Sequence, residues 1–425
     1  MFPRPLLTAL LICLAPLLHG EDFQGSTHPV PYDDEVIFYS KAPPADPVAA
    51  LQAKINSGAV KLPYDDERGY LPALLDYFKI PASSQMLVFS KTSLQRTLIT
   101  PKTPRALYFN DDVYIGYIPG APVLEVSAVD PKFGGMFYHF EQDKVRHPQF
   151  VRDGDCLRCH SGPRTMGVPG HVMRSIGTDM EGEIDAQSEV GPINHCTPFE
   201  DRWAGWYVTG THGEQTHRGN LVGPEAFSQR LERPNAHGNL TSLTGFFDTK
   251  PYLQPGSDIV ALMVLEHQAH MHNYITRLNY ESQIMLARYG HVRYLGQQEN
   301  AFLRYLLFTE EARLTDPVAG TSPYTQDFAK MGPRDSQGRS LRDFDLKTRL
   351  FKYPCSFLIY SPAFDSLPEA IHTVLLQRLY EILTGKDASP DWAALSTADR
   401  RAILEILRET KPNLPAYWRE GAAAE

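Results

Sequence analysis

The amino-acid sequence predicts an α+β fold, in which strands occupy the first half of the chain and helices the second half. Short β-branched and aromatic runs separated by turn residues fill residues 86–142, and helical periodicity begins near Ser257. Between them, residues 150–255 are irregular and rich in glycine, proline and histidine. Strands and helices that are segregated along a chain are typical of α+β proteins. We therefore expect an N-terminal β-meander, an irregular segment and C-terminal helices packed around that segment.

The predicted meander follows from alternating strand and turn chemistry. Asn110-Asp111-Asp112, Pro119-Gly120 and Gly134-Gly135 favour turns and separate apolar runs of strand length. The predicted strands are residues 86–89, 106–109, 113–118, 123–126 and 136–140, with a further aromatic strand within 203–209.

Helix signals dominate the C-terminal part of the chain. Ser257 suits the N-cap of an apolar run that continues to about Tyr289, and Pro368 begins a helix that Gly385 ends. Ser396 suits the N-cap of the last helix. Shorter helices are expected at residues 71–78 and 299–313.

One short motif, Cys156-Leu157-Arg158-Cys159-His160, carries most of the functional information. The spacing C-x-x-C-H is typical of c-type haem attachment, in which two thiols bind the haem covalently and the histidine ligates its iron. We therefore predict one covalent haem c, with Cys156 and Cys159 as attachment residues and His160 as the proximal iron ligand.

Other interpretations of the two thiols are weaker. A redox C-x-x-C is expected at a helix N-terminus in a βαβ context, but glycines and prolines surround this one. A zinc site needs a second Cys/His pair, and Cys196 and Cys355 each stand alone. Whether Cys196 and Cys355 form a disulfide with each other stays open.

The sixth iron ligand also stays open. On the predicted helix 257–289, Met263, His267, His270 and Tyr274 share one face, and His267 is the leading distal candidate. The alternative is that this stripe only packs against the strands. Other candidates are His212, with His217 nearby, then His171 and Met173, and His139 and His147 upstream of the motif; Met166 lies too close to His160 to pass around the macrocycle.

Three arginines, Arg152, Arg158 and Arg164, flank the motif. Haem propionates are carboxylates, and guanidinium groups bind carboxylates through paired hydrogen bonds. Arg158 and Arg164 are therefore predicted to contribute to cofactor binding.

Residues 1–20 have the pattern of a signal peptide, with Arg4 before an apolar run at 6–18 and Gly20 at the cleavage position. We expect a periplasmic or secreted protein with no membrane span after cleavage. An N-terminal extension (21–85) would precede one haem c domain (86–425), divided into β-rich (86–145), haem-binding (146–255) and helical (256–425) parts. With 425 residues and a net charge of −9, the chain lacks the basic character expected of a nucleic-acid-binding protein.

The chain resembles a family of large exported bacterial proteins that each carry one cytochrome c-type haem motif. The resemblance rests on the motif itself and on residues 90–95, 104–114, 203–213, 265–268 and 345–354. It implies haem binding and electron transfer over most of residues 85–418. Only Cys156, Cys159 and His160 correspond to functional residues of the family.

These observations predict an exported c-type cytochrome that exchanges electrons with a redox partner protein or a small-molecule donor or acceptor. One alternative is a haem-dependent oxidoreductase with an open distal position, such as a peroxidase. Another is an exported scaffold in which the haem is structural.

Overall fold

A computed structural model describes residues 30–419 of the chain. The predicted signal peptide at residues 1–20 lies outside the described residues.

Residues 30–419 form ten α-helices and eleven β-strands, numbered in chain order. The helices are α1 (Pro47–Asn56), α2 (Leu71–Phe78), α3 (Leu157–His160), α4 (Gly223–Glu232), α5 (Ile259–Tyr289), α6 (Gly296–Leu306), α7 (Tyr324–Lys330), α8 (Pro362–Asp365), α9 (Glu369–Leu383) and α10 (Thr397–Thr410). The strands are β1 (Met86–Val88), β2 (Arg105–Phe109), β3 (Val113–Tyr117), β4 (Val123–Asp130), β5 (Gly134–Glu141), β6 (Phe150–Arg152), β7 (Arg174–Ser175), β8 (Gly191–Pro192), β9 (Trp206–Tyr207), β10 (Gly210–Thr211) and β11 (Ala319–Gly320).

A seven-stranded antiparallel sheet in the order β6-β5-β4-β3-β2-β1-β9 forms the first half of the fold, so the predicted α+β class and β-meander are confirmed. The predicted aromatic strand is shorter than the run 203–209. Trp203 and Gly205 have φ values of +67° and +83°, which a strand cannot accommodate. Only Trp206 and Tyr207 pair with β1.

One face of the sheet packs against α1 and α2. Tyr138 on β5 donates a hydrogen bond of 2.6 Å to Asp46, the residue that caps the N-terminus of α1. Leu51 of α1 and Leu74 of α2 belong to the same apolar core as the inward side chains of the strands. The sequence division at residue 85 therefore separates residues that share one core.

The long helix α5 packs against the other face of the sheet. Every residue from Ile259 to Tyr280 is buried, including charged and polar ones. Gln268 donates a hydrogen bond to the Tyr114 hydroxyl, and His272 donates one to the carbonyl of Asp111 in the β2–β3 turn. These bonds fix α5 across the sheet, because buried polar groups require partners.

The predicted helix ends are close to those observed, with two corrections. The N-cap of α5 is Asp258, which accepts from the amides of Val260 and Ala261, while the Ser257 hydroxyl accepts from Leu87 on β1. The helix expected at 299–313 ends at Leu306, because the backbone is left-handed at Phe308 (φ +55°).

The last helices match the prediction closely. Ser396 caps α10 in a capping box with Asp399, and Pro368 precedes the first residue of α9. Among residues 30–419, no helix combines the length and apolarity needed to cross a bilayer. The sequence patterns did not reveal α1, α4 or α7.

Buried histidines should make this fold sensitive to acid. Burial lowers the pKa of His272 from 6.5 to about 4. Below pH 6.5 this histidine is protonated in the unfolded chain but stays neutral in the folded chain. The free energy of unfolding therefore falls as the pH decreases from about 6.5 towards 4, by up to about 1.4 kcal/mol per pH unit.

We expect His272→Gln, whose amide can still donate to Asp111, to flatten this dependence of the unfolding free energy on pH, measured by urea unfolding between pH 7.5 and 5. His147→Gln, at an exposed position, is the control and should leave the slope unchanged. Equal slopes in the two variants would contradict the assignment.

Candidate functional site

The C-x-x-C-H motif lies directly after β6 on a short helical turn. The Asp153 side chain accepts the amide hydrogen of Asp155 and starts a 3-10 turn that continues into α3. This turn brings Cys156, Cys159 and His160 together. Cys156 packs against the sheet core, whereas Cys159 is exposed.

The His160 ring has a defined orientation. Its Nδ1 lies 2.9 Å from the carbonyl oxygen of Gly170, and the Gly170 amide donates to the His160 carbonyl at 2.8 Å. Because a carbonyl only accepts, Nδ1 carries the proton and Nε2 presents its lone pair. Nε2 forms no hydrogen bond to a described residue. Burial, with the ring 4.6 Å from that of Phe137, lowers the pKa of His160. This neutral, oriented imidazole is the form that ligates a metal.

The state of Cys156 disfavours a thiol–disulfide redox site. Burial, with the nearby carboxylates of Asp153 and Glu125, raises the pKa of Cys156 to about 12. A nucleophilic redox cysteine has a lowered pKa instead. Cys156 and Cys159 are not joined by a disulfide, and neither are Cys196 and Cys355. Within residues 30–419 no cluster of three or more His, Cys, Asp or Glu side chains is arranged to hold a metal ion.

The carbonyl that orients His160 is itself held by α5. Asn273 accepts a hydrogen bond from the His171 amide at 2.9 Å and donates one to the His171 carbonyl at 2.6 Å. This pair of hydrogen bonds fixes the backbone directly after Gly170. A Cβ at Gly170 would lie 2.1 Å from the Asn273 Oδ1 atom, so the close approach requires glycine at this position.

The rest of the loop after the motif is held in the same way. Arg277, one turn beyond Asn273, donates to the Met166 carbonyl at 2.8 Å. From the sheet, the amide of Gly135 donates to the Pro169 carbonyl at 2.9 Å. The loop 166–171 is therefore hydrogen-bonded to both α5 and β5, and the orientation of His160 depends on both elements.

The face of the sheet that packs against α5 also forms the surface beside the motif. Glu125 on β4 pairs in register with His139 on β5, and it forms an ion pair with Arg105 on β2. Burial opposes ionisation of Glu125, but Arg105 and the hydroxyl of Ser93 hold its pKa below the ordinary value. Arg105 and Glu125 both lie close enough to influence the charge state of His160.

Large apolar side chains are exposed on segments that contact this surface. Val151, which pairs in register with His139, is 43% exposed, and Leu94, which follows Ser93, is 63% exposed. Val190 is 40% exposed and follows Glu189, which binds Arg164. Segments that adjoin the motif, or that bond to residues near it, therefore present apolar side chains to solvent.

The arginines that flank the motif have different partners. Arg164 forms two hydrogen bonds of 3.0 Å with Glu189, and Arg152 donates to the Tyr39 carbonyl and stacks on the Tyr39 ring. Arg158 is 81% exposed and lies 3.7 Å from Asp155. Arg158 is therefore the least constrained of the three.

His267 does not lie in an open pocket. It is fully buried, its Nδ1 is 2.8 Å from the Nδ1 of His195, and its Nε2 is 2.8 Å from the Ser356 hydroxyl. Both ring nitrogens are thus engaged, and the ring packs against Phe308 and Phe357 in the helical core. His267 therefore packs within the helical core, whereas the alternative interpretation placed this stripe against the strands.

Most other distal candidates are also engaged. The Nε2 atom of His171 lies 2.9 Å from the Ser127 hydroxyl, and Met166 and Met173 are buried in the helical core. His212 accepts the Asn239 amide hydrogen at 2.9 Å inside its own loop. His217 accepts the Gly219 amide hydrogen at 3.0 Å, and His270 is buried against the rings of Tyr274 and Tyr305. His139 lies 3.6 Å from the Asp153 carboxylate, and His147 is exposed.

Sequence reasoning missed the residues that support the motif. Asn273 and Arg277 lie three and seven residues after His270, at the edge of the predicted Met/His stripe, and Gly170 is one loop glycine among many. The available signal was two polar residues four positions apart in a long predicted helix, a spacing that places both on one side of the helix and indicates buried hydrogen-bond partners there.

The contact between Gly170 and Asn273 yields a testable coupling. Gly170→Ala should destabilise the protein by about 1–3 kcal/mol, because its Cβ collides with the Asn273 amide. In an Asn273→Ala background the same substitution should cost at least about 1 kcal/mol less. Urea unfolding of the four variants in this cycle measures the coupling. Gly162→Ala is the control, because a Cβ at Gly162 meets nothing within 4 Å. An equal loss of unfolding free energy in both backgrounds would refute the contact between Gly170 and Asn273.

Comparison of the chain with protein-family models, curated proteins and solved structures finds no match. The interpretation of the site therefore rests on the geometry of its own residues.

Proposed function

We propose that the protein is an exported c-type cytochrome that carries one covalent haem and transfers electrons. The observation that carries the proposal is the hydrogen bond from His160 Nδ1 to the Gly170 carbonyl, which leaves Nε2 available on the same turn as two unpaired thiols. Export is inferred from the signal-peptide pattern of residues 1–20.

The residues that would hold the cofactor are Cys156 and Cys159 through thioether bonds and His160 through the iron. A bound haem supplies reversible one-electron chemistry at the iron. The protein's contribution is to hold the imidazole neutral and oriented. The Gly170 carbonyl makes the ligand more basic, and α5 keeps that carbonyl in place.

The exposed edge of the motif supports electron exchange at the surface. Cys159 is exposed and Arg158 is 81% exposed, so a cofactor attached there would reach the protein surface. A redox partner protein or a small-molecule donor or acceptor would approach at this edge.

A second candidate is a haem-dependent oxidoreductase with an open distal position. It is favoured by the hydrogen bonds that already occupy ring nitrogens of His267, His171 and His212. If no protein group completes the coordination of the iron, the distal side is open to a small molecule. His139, paired at 3.6 Å with Asp153, would then be a group able to move a proton.

Covalent attachment is the first test. The chain expressed with its own N-terminus in a bacterium that matures c-type cytochromes should carry haem after export, seen by intact mass and by the pyridine haemochrome spectrum. The double variant Cys156→Ala/Cys159→Ala should lose the covalent haem. Cys196→Ala is the matched control and should retain it. An exported, folded wild-type chain without added porphyrin mass would refute the proposal.

The absorption spectrum of the same material separates the candidates. A low-spin ferric spectrum that is unchanged by cyanide is expected of an electron carrier, and a high-spin spectrum that shifts with cyanide is expected of the open-site enzyme. His267→Phe should leave either spectrum unchanged, because its nitrogens already bind His195 and Ser356. A haem that is not reduced by physiological electron donors and does not bind cyanide would identify a structural role.

A further inference from the structure

A second binding site is formed by residues outside the motif, in a half-open cleft of about 550 Å³. One wall is the loop that joins β7 to β8 (residues 177–188), and the other is formed by Arg218 and the first turn of α4. This volume lies within the range of clefts that bind small molecules, roughly 300–1,000 Å³.

Arg218 supplies a positive charge in the cleft. Its guanidinium stacks on the Phe227 ring at 5.3 Å and forms no salt bridge with any residue in 30–419. Burial and the nearby Arg230 guanidinium lower the pKa of Arg218, and the Asp201 carboxylate opposes this effect only in part, so an anion in the cleft would stabilise the charged guanidinium. A guanidinium held by an aromatic ring presents a planar fork to a carboxylate.

The start of α4 adds to this preference for an anion. Pro224 and Phe227 of the helix line the cleft, and Val222, at the N-cap position, has no side chain able to cap the helix. Amide groups in the first turn of an uncapped helix carry partial positive charge.

The opposite wall is acidic. Asp179 accepts the amide hydrogens of Glu181 and Glu183 through Oδ1, and Asp185 accepts that of Gln187 through Oδ1. Their Oδ2 atoms make no hydrogen bond to a described residue. Glu183, also on this wall, is paired with Lys91. This wall therefore favours a cationic group and repels a dianion.

The acidic wall is also preorganised. Thr178 and Ile184 form a β-bridge, and the Ser188 hydroxyl accepts the Gly177 amide hydrogen at 2.8 Å and donates to the Asp185 carbonyl at 2.8 Å. Ile184 is 40% exposed at the cleft and gives it an apolar surface opposite Phe227. A loop held in this way loses little entropy when it binds a ligand.

We propose that this cleft binds a small zwitterion, an amino acid with an apolar side chain, whose carboxylate contacts Arg218 and whose ammonium group contacts Asp179 and Asp185. The apolar body would lie between Ile184 and Phe227. The proposal is independent of the haem, because every residue that carries it lies outside residues 156–160.

Three matched probes test it by isothermal titration calorimetry with the full chain: L-phenylalanine, 3-phenylpropanoate, which lacks the ammonium, and 2-phenylethylamine, which lacks the carboxylate. L-phenylalanine should bind about tenfold or more tightly than either analogue, because each analogue forfeits one charge-assisted contact. Inorganic phosphate should not compete.

Two variants locate the contacts. Arg218→Gln should weaken binding of L-phenylalanine by about tenfold or more, whereas Arg288→Gln, at an exposed arginine paired with Asp34, should not.

Asp185→Asn should reduce the preference for L-phenylalanine over 3-phenylpropanoate and leave 3-phenylpropanoate binding unchanged. Its exposed position keeps this test valid if Arg218→Gln fails to fold. No binding of L-phenylalanine at 10 mM or less, equal binding of 3-phenylpropanoate, or tighter binding of phosphate would each overturn the proposal.

Discussion

The buried polar side chains of α5 are the constraint on which the rest of the structure depends. A helix buried over more than five turns leaves no water for its amides, imidazoles and guanidinium groups, so each requires a protein partner. Gln268 and His272 find theirs at the β2–β3 turn, and Asn273 and Arg277 find theirs in the loop after the motif. The helix thereby sets the position of the sheet and of the candidate site together.

The same helix holds a second polar network about two turns closer to its N-terminus. Glu266, fully buried, forms an ion pair with Arg202 and accepts from the Trp203 indole at 3.0 Å. Next to it, His267 bonds to His195 and Ser356. An ion pair that is removed from water is costly to break on one side only, because the remaining charge stays buried. This network therefore anchors residues 195–203 to α5 and occupies both ring nitrogens of His267.

Much of the architecture was predictable because it follows from local chemistry. The Asn110-Asp111-Asp112 turn separates two strands whose observed pairing is antiparallel, and the Ser396 cap predicts the start of α10 within one residue. Gly134 and Gly135, predicted as a turn, are instead the first two residues of β5 and pair with β4. The predictions failed where a distant contact decides the outcome. Ser257 is not the N-cap of α5, because its hydroxyl accepts the Leu87 amide of β1.

The sequence by itself determined which chemical groups the motif presents, since two cysteines and a histidine at fixed spacing on one turn need no distant partner to be identified. Only the tertiary structure decided which imidazole nitrogen of His160 is available and which histidines are already engaged. Those outcomes depend on hydrogen bonds between residues far apart in the chain, such as Asn273 with His171, and burial makes each of these bonds obligatory.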